Sequence, residues 1–363
     1  MKAAVLSEQP GALEIEDISI DRPGPNEVLV RVVGAGLCHS DLHFMEGTFR
    51  TPLPAVMGHE SAGIVEAVGD DVGYCKPGDH VICCLSIFCG QCRQCLSGHP
   101  ARCTNPGATS RPRDGVPRLS RPGGAPVDQF ARLGGFAEQM LVHQNALVTI
   151  TDDMPLDRAS LIGCGVMTGM GAVFRTAKVE PGSRVCVIGA GGIGLAAIQA
   201  SRIVGAGQVV VVDVSDAKLE LAHQLGGTDL VNASQVDNVV AAVRELTGGG
   251  VDYSFEAIGL KTTAEQAFNM LDLGGTATII GMVPPKQVLE IRGIDLLSEK
   301  RLQGSMMGSN QFRTDMPNMV RMYLDGRLRL DEMVSARLKL EEINEGYDAM
   351  KRGEVSRQVI VFE

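Results

Sequence analysis

The run "VCVIGAGGIGLAAIQA", residues 185–200, constrains the fold more than any other stretch of this chain. It places Gly189, Gly191 and Gly194 in G-x-G-x-x-G spacing after a β-branched run and at the start of an apolar, helix-forming one. The three glycines have different tasks: a tight turn, close approach of backbone to a pyrophosphate, and close packing of helix on strand. The helix N-terminus adds unpaired N–H groups and partial positive charge for the phosphates, with Gly192 and Ile193 in the same turn. Glycine-rich turns abound in a chain with 44 glycines, so the context has to decide. A second strand ends in "VVVVD" and puts Asp213 19 residues after Gly194, close to the offset of an acidic residue on the adenosine ribose. A carboxylate there accepts from both ribose hydroxyls and repels a 2′-phosphate, so NAD is expected over NADP. Lys218, on the following helix, is within reach of the adenosine side; a solvated surface lysine fits the sequence equally well.

Around this unit the pattern divides. The first 150 or so residues read as β-rich, with short runs at Val28–Val33 and Ala62–Val68 bounded by Gly, Pro, Asp and Asn. Residues 105–135 are rich in Pro, Gly and Arg with little periodicity and read as a long surface connection. After about Met154, apolar strands alternate with helices: strands at Val185–Ile188, Val209–Val212, Tyr253–Phe255 and Thr276–Ile280, helices at Gly194–Val204 and Ala217–Leu225. Such non-alternating strands separated by helices mean a parallel sheet covered on both faces. The final "SRQVIVFE" predicts a closing strand for the first domain.

At 363 residues two domains are the default, and 44% apolar residues can furnish both cores. A net charge of −10 argues against nucleic-acid backbones and anionic lipid as partners. No segment offers the long uncharged apolar run of a signal peptide or membrane span. Ten cysteines without such a signal predict a reducing compartment, the cytoplasm, where clustered thiols hold metal more often than they form disulfides.

One such cluster is "CGQCRQCLSGHPARC": Cys89, Cys92, Cys95 and Cys103, spaced C-x2-C-x2-C-x7-C. Four thiolates from one short loop suit a tetrahedral Zn²⁺ site with no position left for substrate, hence a structural zinc. Outside this loop, "GLCHSDLH" offers Cys38, His39, Ser40, Asp41 and His43; "MGHESAG" offers His59 and Glu60; "GCGVMTGMGAV" offers Cys164. Cys38, His59 and Cys164 together make two thiolates and one imidazole, a catalytic zinc set that keeps a fourth position open.

With the "GHE" motif, the "CGQCRQC" lobe, "GCG" before the nucleotide unit, and "GAGGIG" in this order over essentially its whole length, the chain resembles zinc-dependent alcohol dehydrogenases of the medium-chain dehydrogenase/reductase superfamily. The resemblance implies an α/β protein: a GroES-like β-rich catalytic domain at 1–165 with the structural-zinc lobe at 85–105, a Rossmann doubly wound NAD-binding domain at 166–306, and a return to the catalytic domain at 307–363. It implies two Zn²⁺ per chain, with Cys38, His59 and Cys164 on the catalytic ion and Glu60 behind it as a nearby carboxylate or transient ligand. Asp41 matches the carboxylate that orients the histidine ligand. Ser40 and His43 match the group that passes the alcohol proton to solvent. His39 and Arg357 match pyrophosphate contacts, and Thr168 and Ile193 match positions around the nicotinamide.

The implied reaction is reversible hydride transfer from a primary or secondary alcohol to NAD, giving an aldehyde or ketone. By family position the substrate faces Phe49, Leu85, Phe136 and Met306, an apolar lining that suits medium-chain, aromatic or terpenoid alcohols. A thiol-adduct formaldehyde dehydrogenase or a polyol dehydrogenase on the same scaffold is the alternative. A second alternative is tight retention of the nicotinamide, regenerated by an external carrier. A zinc-ribbon-like nucleic-acid or protein-interaction module is opposed by the acidic balance and the full ligand set. By analogy the protein is a homodimer, with a homotetramer as the other possibility.

Overall fold

A computed structural model describes every residue except Arg113. Two compact units emerge: residues 1–164 with 311–363, and residues 165–310.

The second unit is the nucleotide fold. Its six strands run in the order Asp229–Asn232, Gln208–Asp213, Arg184–Ile188, Val251–Glu256, Leu271–Ile279, Arg301–Gly304, and every neighbouring pair is parallel. In chain order this is 3-2-1-4-5-6, the doubly wound arrangement whose topological switch lies between the first and fourth strands. Val210, Val212, Cys186 and Ile188 enter one core with Val243, Phe268 and Leu271, which is why these strands read as continuous apolar runs. The strand expected at Thr276–Ile280 begins earlier, at Leu271: Gly274 and Gly275 fall in a register shift, after which pairing resumes at Thr276.

The first unit is β-rich. The strand Glu27–Gly36 is its spine, antiparallel to Glu60–Val68, Gln139–His143 and Arg357–Val361. Its alternate residues Val28, Val30 and Val32 point into a core shared with Leu37, Met57, Phe136 and Tyr347. "SRQVIVFE" therefore does return to this unit, seated between Glu27–Gly36 and Val334–Leu338.

Residues 105–135 differ from the expected surface connection. They contain the short strands Leu119–Ser120 and Pro126–Gln129, which join a sheet with Ala55–Val56 and Ser19–Ile20. Their arginines anchor the segment: Arg111 on Asp21 and Glu27, Arg118 on Glu27, and Arg121 on Glu16. Strands this short carry no readable periodicity, and ion pairs distant in sequence leave no local signal. The return to the first unit also falls later than residue 307. The turn Met307–Ser309 stays with the nucleotide fold because the Thr176 hydroxyl bonds Ser305 at 2.8 Å and Ser309 at 2.9 Å.

Candidate active site and nucleotide crevice

Cys38 ends the spine region and N-caps the helix His39–Met45, so the two residues after it lie in the first helical turn. His59 stands in the turn before Glu60–Val68. Gly58 makes that turn possible: its φ is +93°, and a Cβ there would lie 2.6 Å from the Phe136 nitrogen. Cys164 sits in a π-helical stretch, Ile162–Val166, after the helix Leu156–Leu161. An added Cβ on neighbouring Gly163 would meet the Cys83 carbonyl oxygen at 2.8 Å, so glycine lets this stretch press against the sheet.

Together these elements bring ligand atoms of Cys38, His59, Glu60 and Cys164 within 4.8 Å of one another, all buried. Asp41, wholly buried, reaches His59 Nδ1 at 3.0 Å and accepts from the Gly58 N–H at 3.1 Å. That pairing leaves Nε2 as the nitrogen able to bind a metal. A hydrogen bond from Cys164 holds the Cys38 thiol well below the usual range, with His59 and Arg357 adding to it; the same bond, with burial, pushes Cys164 up. Burial raises the Glu60 carboxyl, and the Arg357 guanidinium opposes that rise.

Four buried anionic or neutral donors whose ligand atoms converge in this way fit a soft divalent ion. The four-cysteine loop fits zinc on geometry. Its sulfurs stand 3.4 Å (Cys92–Cys95), 3.9 Å (Cys89–Cys95) and 3.9 Å (Cys92–Cys103) apart. A tetrahedron with Zn–S of about 2.3 Å has edges of about 3.8 Å. The N–H of Cys89 already donates to Cys103 Sγ and that of Cys92 to Cys89 Sγ, both at 3.3 Å. The Cys95 amide, ahead of Thr104, holds the Cys92 thiol down to about 5.

One expected role needs correction. Phe136 does not face a substrate: it is fully buried, packs 6.3 Å from the Tyr347 ring, and belongs to the core. The aromatic beside the metal cluster is Phe130, whose ring lies 5.7 Å from His59 and 4.7 Å from Phe44. Arg357, expected at the pyrophosphate, lies inside the sheet of the first unit. It is 5% exposed and donates to Glu60 and, at 3.2 Å, to the Leu37 carbonyl, because its strand runs through the middle of the sheet.

The other expected residues distribute as follows. Ser40 and His43 are half-buried on the helix His39–Met45, and His39 is exposed. Phe49 is half-buried, 5.8 Å from Phe44 and 6.1 Å from the His43 ring. Leu85 packs on the first unit's core. In the second unit Met306 is 56% exposed, Ile193 is half-buried, and Thr168 is buried with its hydroxyl 3.5 Å from Met307 Sδ.

The glycine-rich turn has the form its spacing implies. Gly191 caps the helix Gly192–Ile203, and a Cβ on it would meet nothing within 4 Å, so open space lies above that backbone. A Cβ on Gly194 would overlap the Gly189 carbonyl oxygen. Asp213, at the end of the adjacent strand, accepts from Ala190 N at 2.7 Å and Ser215 N at 3.0 Å. Lys218 is half-buried in the first turn of the next helix, where its N–H meets the Ser215 hydroxyl.

An alcohol dehydrogenase GroES-like domain model matches residues 24–152, and a zinc-binding dehydrogenase model matches residues 192–324. The chain belongs to the zinc-dependent alcohol dehydrogenases of the medium-chain dehydrogenase/reductase superfamily. It is 36% identical over 372 aligned positions to an S-(hydroxymethyl)glutathione dehydrogenase of Paracoccus denitrificans, and 37% over 374 to an alcohol dehydrogenase class-3 of Cereibacter sphaeroides, covering 99% of both chains in each case. The solved benzyl alcohol dehydrogenase from Acinetobacter calcoaceticus matches with a TM-score of 0.93 at 33% identity, over 100% of this chain and 99% of that one. This zinc alcohol dehydrogenase is an NAD-dependent oxidoreductase acting on CH–OH donors. Among its described residues no helix is long and apolar enough to cross a membrane.

Proposed function

We propose that the enzyme oxidises aromatic and medium-chain apolar alcohols to carbonyl compounds, using one catalytic and one structural zinc per chain. The observation that carries this reading is the buried Cys38–His59–Cys164 cluster with Phe130 packed on its histidine. Bound in that cluster, zinc supplies Lewis acidity that lowers the pKa of an alcohol O–H, and NAD supplies the hydride acceptor. Cys38, His59 and Cys164 hold the ion, and Asp41 fixes the ring of His59 in the metal-binding tautomer. Arg357 keeps Glu60 balanced beside two thiols. Ser40 takes the hydroxyl proton, and His43, three residues further on the same helix, passes it to solvent. The half-buried Phe44 and Phe49 supply an apolar wall that excludes water, with Phe130 buried behind them.

A second reading, oxidation of S-(hydroxymethyl)glutathione, is favoured by the name of the Paracoccus denitrificans relative above. Arg132, two residues after Phe130, is half-buried and carries no ion pair among the described residues, so it suits a substrate carboxylate. NAD reduction by benzyl alcohol, hexanol and formaldehyde with glutathione separates the two. The first reading expects the highest kcat/KM for benzyl alcohol; activity confined to the glutathione adduct overturns it.

The reading extends to a cytoplasmic homodimer. Its support is the sheet edge Arg301–Gly304, flanked by a pocket lined by Val283, Pro284, Leu289 and Leu302, with Val288, Ile294 and Leu297 exposed nearby in sequence. Light scattering on the purified protein tests it, and a monomer at micromolar concentration refutes it.

A further inference from the structure

The fourth strand of the nucleotide fold, Val251–Glu256, ends at the topological switch with a carboxylate that no glycine-motif pattern points to. Glu256 is completely buried. Its Oε1 gathers three donors: the N–H of Ile258 at 2.9 Å, the N–H of Gly259 at 2.7 Å and the Thr263 hydroxyl at 2.8 Å. Its backbone carbonyl accepts from Ile280 at 2.9 Å and Gly281 at 3.1 Å. One residue thus ties the turn after the fourth strand to the end of the fifth. Oε2 has no hydrogen-bond partner among the described residues, and a Cβ on Gly281 would stand 2.7 Å from it. Among the described residues no lysine or arginine pairs with this carboxylate, so it is not held there as half of a salt bridge.

What the carboxylate positions is Ile258. The turn folds back so that a Cβ on Gly189, the first glycine of the phosphate-binding turn, would lie 2.6 Å from Ile258 Cγ1. The Ile258 side chain is nevertheless 42% exposed, an apolar group held at the mouth of the crevice rather than in the core. A turn with two amides pinned to one buried oxygen cannot move Ile258 away without stranding both donors.

We propose that Glu256 is a positioning residue for the cofactor, acting through the 257–259 turn and Ile258 to shape the apolar wall of the dinucleotide crevice. The proposal rests on the NAD reading of this unit. It differs from a general structural role in what it moves: coenzyme binding rather than alcohol binding or turnover.

The test is NADH fluorescence titration of the zinc-loaded enzyme, with KM for NAD, KM for the alcohol, kcat and Tm, on Glu256→Ala, Glu256→Gln and Ile258→Ala. Glutamine retains an oxygen for the three donors and alanine does not. The expected result is a Kd for NADH raised at least tenfold in E256A, within threefold of wild type in E256Q, and raised three- to tenfold in I258A with Tm unchanged. KM for the alcohol and kcat at saturating NAD stay within threefold throughout. Wild-type NADH affinity in I258A, or equal losses in E256Q and E256A, overturns the proposal. Should E256A fail to fold, the contrast between E256Q and I258A still decides. Failure of the wild-type protein to bind NADH at all would instead strike down the NAD reading itself.

Discussion

Replacing Asp41 by asparagine removes one charge and, more consequentially, reverses one hydrogen bond. The Oδ1 atom accepts from the Gly58 N–H at 3.1 Å, and Oδ2 lies 3.0 Å from His59 Nδ1. In the variant the Gly58 N–H keeps the amide oxygen in place, so the NH₂ group is left facing Nδ1. Two donors cannot share that contact; the imidazole must shift its proton to Nε2, the nitrogen a metal needs. The other amide orientation restores the histidine but leaves a buried N–H without an acceptor, at about 1–3 kcal/mol. Losing such an orienting partner costs about 10- to 100-fold in metal affinity, or about 1.4–2.7 kcal/mol. Competition with a chromophoric chelator, read alongside zinc per chain, measures it. Wild type should retain two ions at a chelator concentration where the variant retains one, with kcat/KM falling in step. A variant that holds its catalytic ion within twofold of wild type would refute the tautomer argument.

Glu27→Gln tests the arginine anchor. Burial alone would raise the Glu27 carboxyl, yet hydrogen bonds from Arg111 and Arg118 bring it from 4.5 down to about 2. At about 1.36 kcal/mol per unit this is about 3 kcal/mol. Because the folded pKa is the lower one, the contribution is present above pH 4.5 and is lost as pH falls toward 2. The urea-unfolding gap between wild type and variant should therefore shrink from pH 7 to pH 3.5; a gap that widens contradicts it. Cys95→Ser should lower the zinc content from two to one and Tm by several degrees, while alcohol turnover persists at low temperature; elemental analysis with thermal melts checks this. Gly194→Ala, whose methyl would overlap the Gly189 carbonyl, should raise KM for NAD at least tenfold with zinc content unchanged, measured by steady-state kinetics.

The sequence was most legible where one chemistry is concentrated in a few adjacent residues. Four cysteines in one loop, or three glycines between a strand and a helix, state their geometry locally. Cys38, His59 and Cys164 could be grouped because thiols and imidazoles are rare enough to stand out, although the sheet that gathers them could not be drawn. Phe130 escaped because it lies in an aperiodic segment whose placement depends on Arg118 and Glu27, far apart in the chain. Phe136 was misplaced because aromatic character does not say which face of a turn is inside. The pairing of Arg357 with Glu60 was not legible: an ion pair spanning nearly the whole chain has no sequence signature. Glu256 looks like any strand-end acid until three donors are found on it.

The strand Arg357–Val361 lies between Glu27–Gly36 and Val334–Leu338, inside a sheet whose other members come from the first half of the chain. Synthesis therefore delivers the parts out of order. Residues 165–310 form a continuous segment and can complete their sheet as they leave the ribosome. The older, β-rich portion must wait with a gap beside its spine and with Glu60 deprived of its counter-ion until Arg357 arrives. A nascent chain halted near residue 330 would thus carry a finished nucleotide fold on an unfinished neighbour, a species that chaperones rather than substrates would meet first.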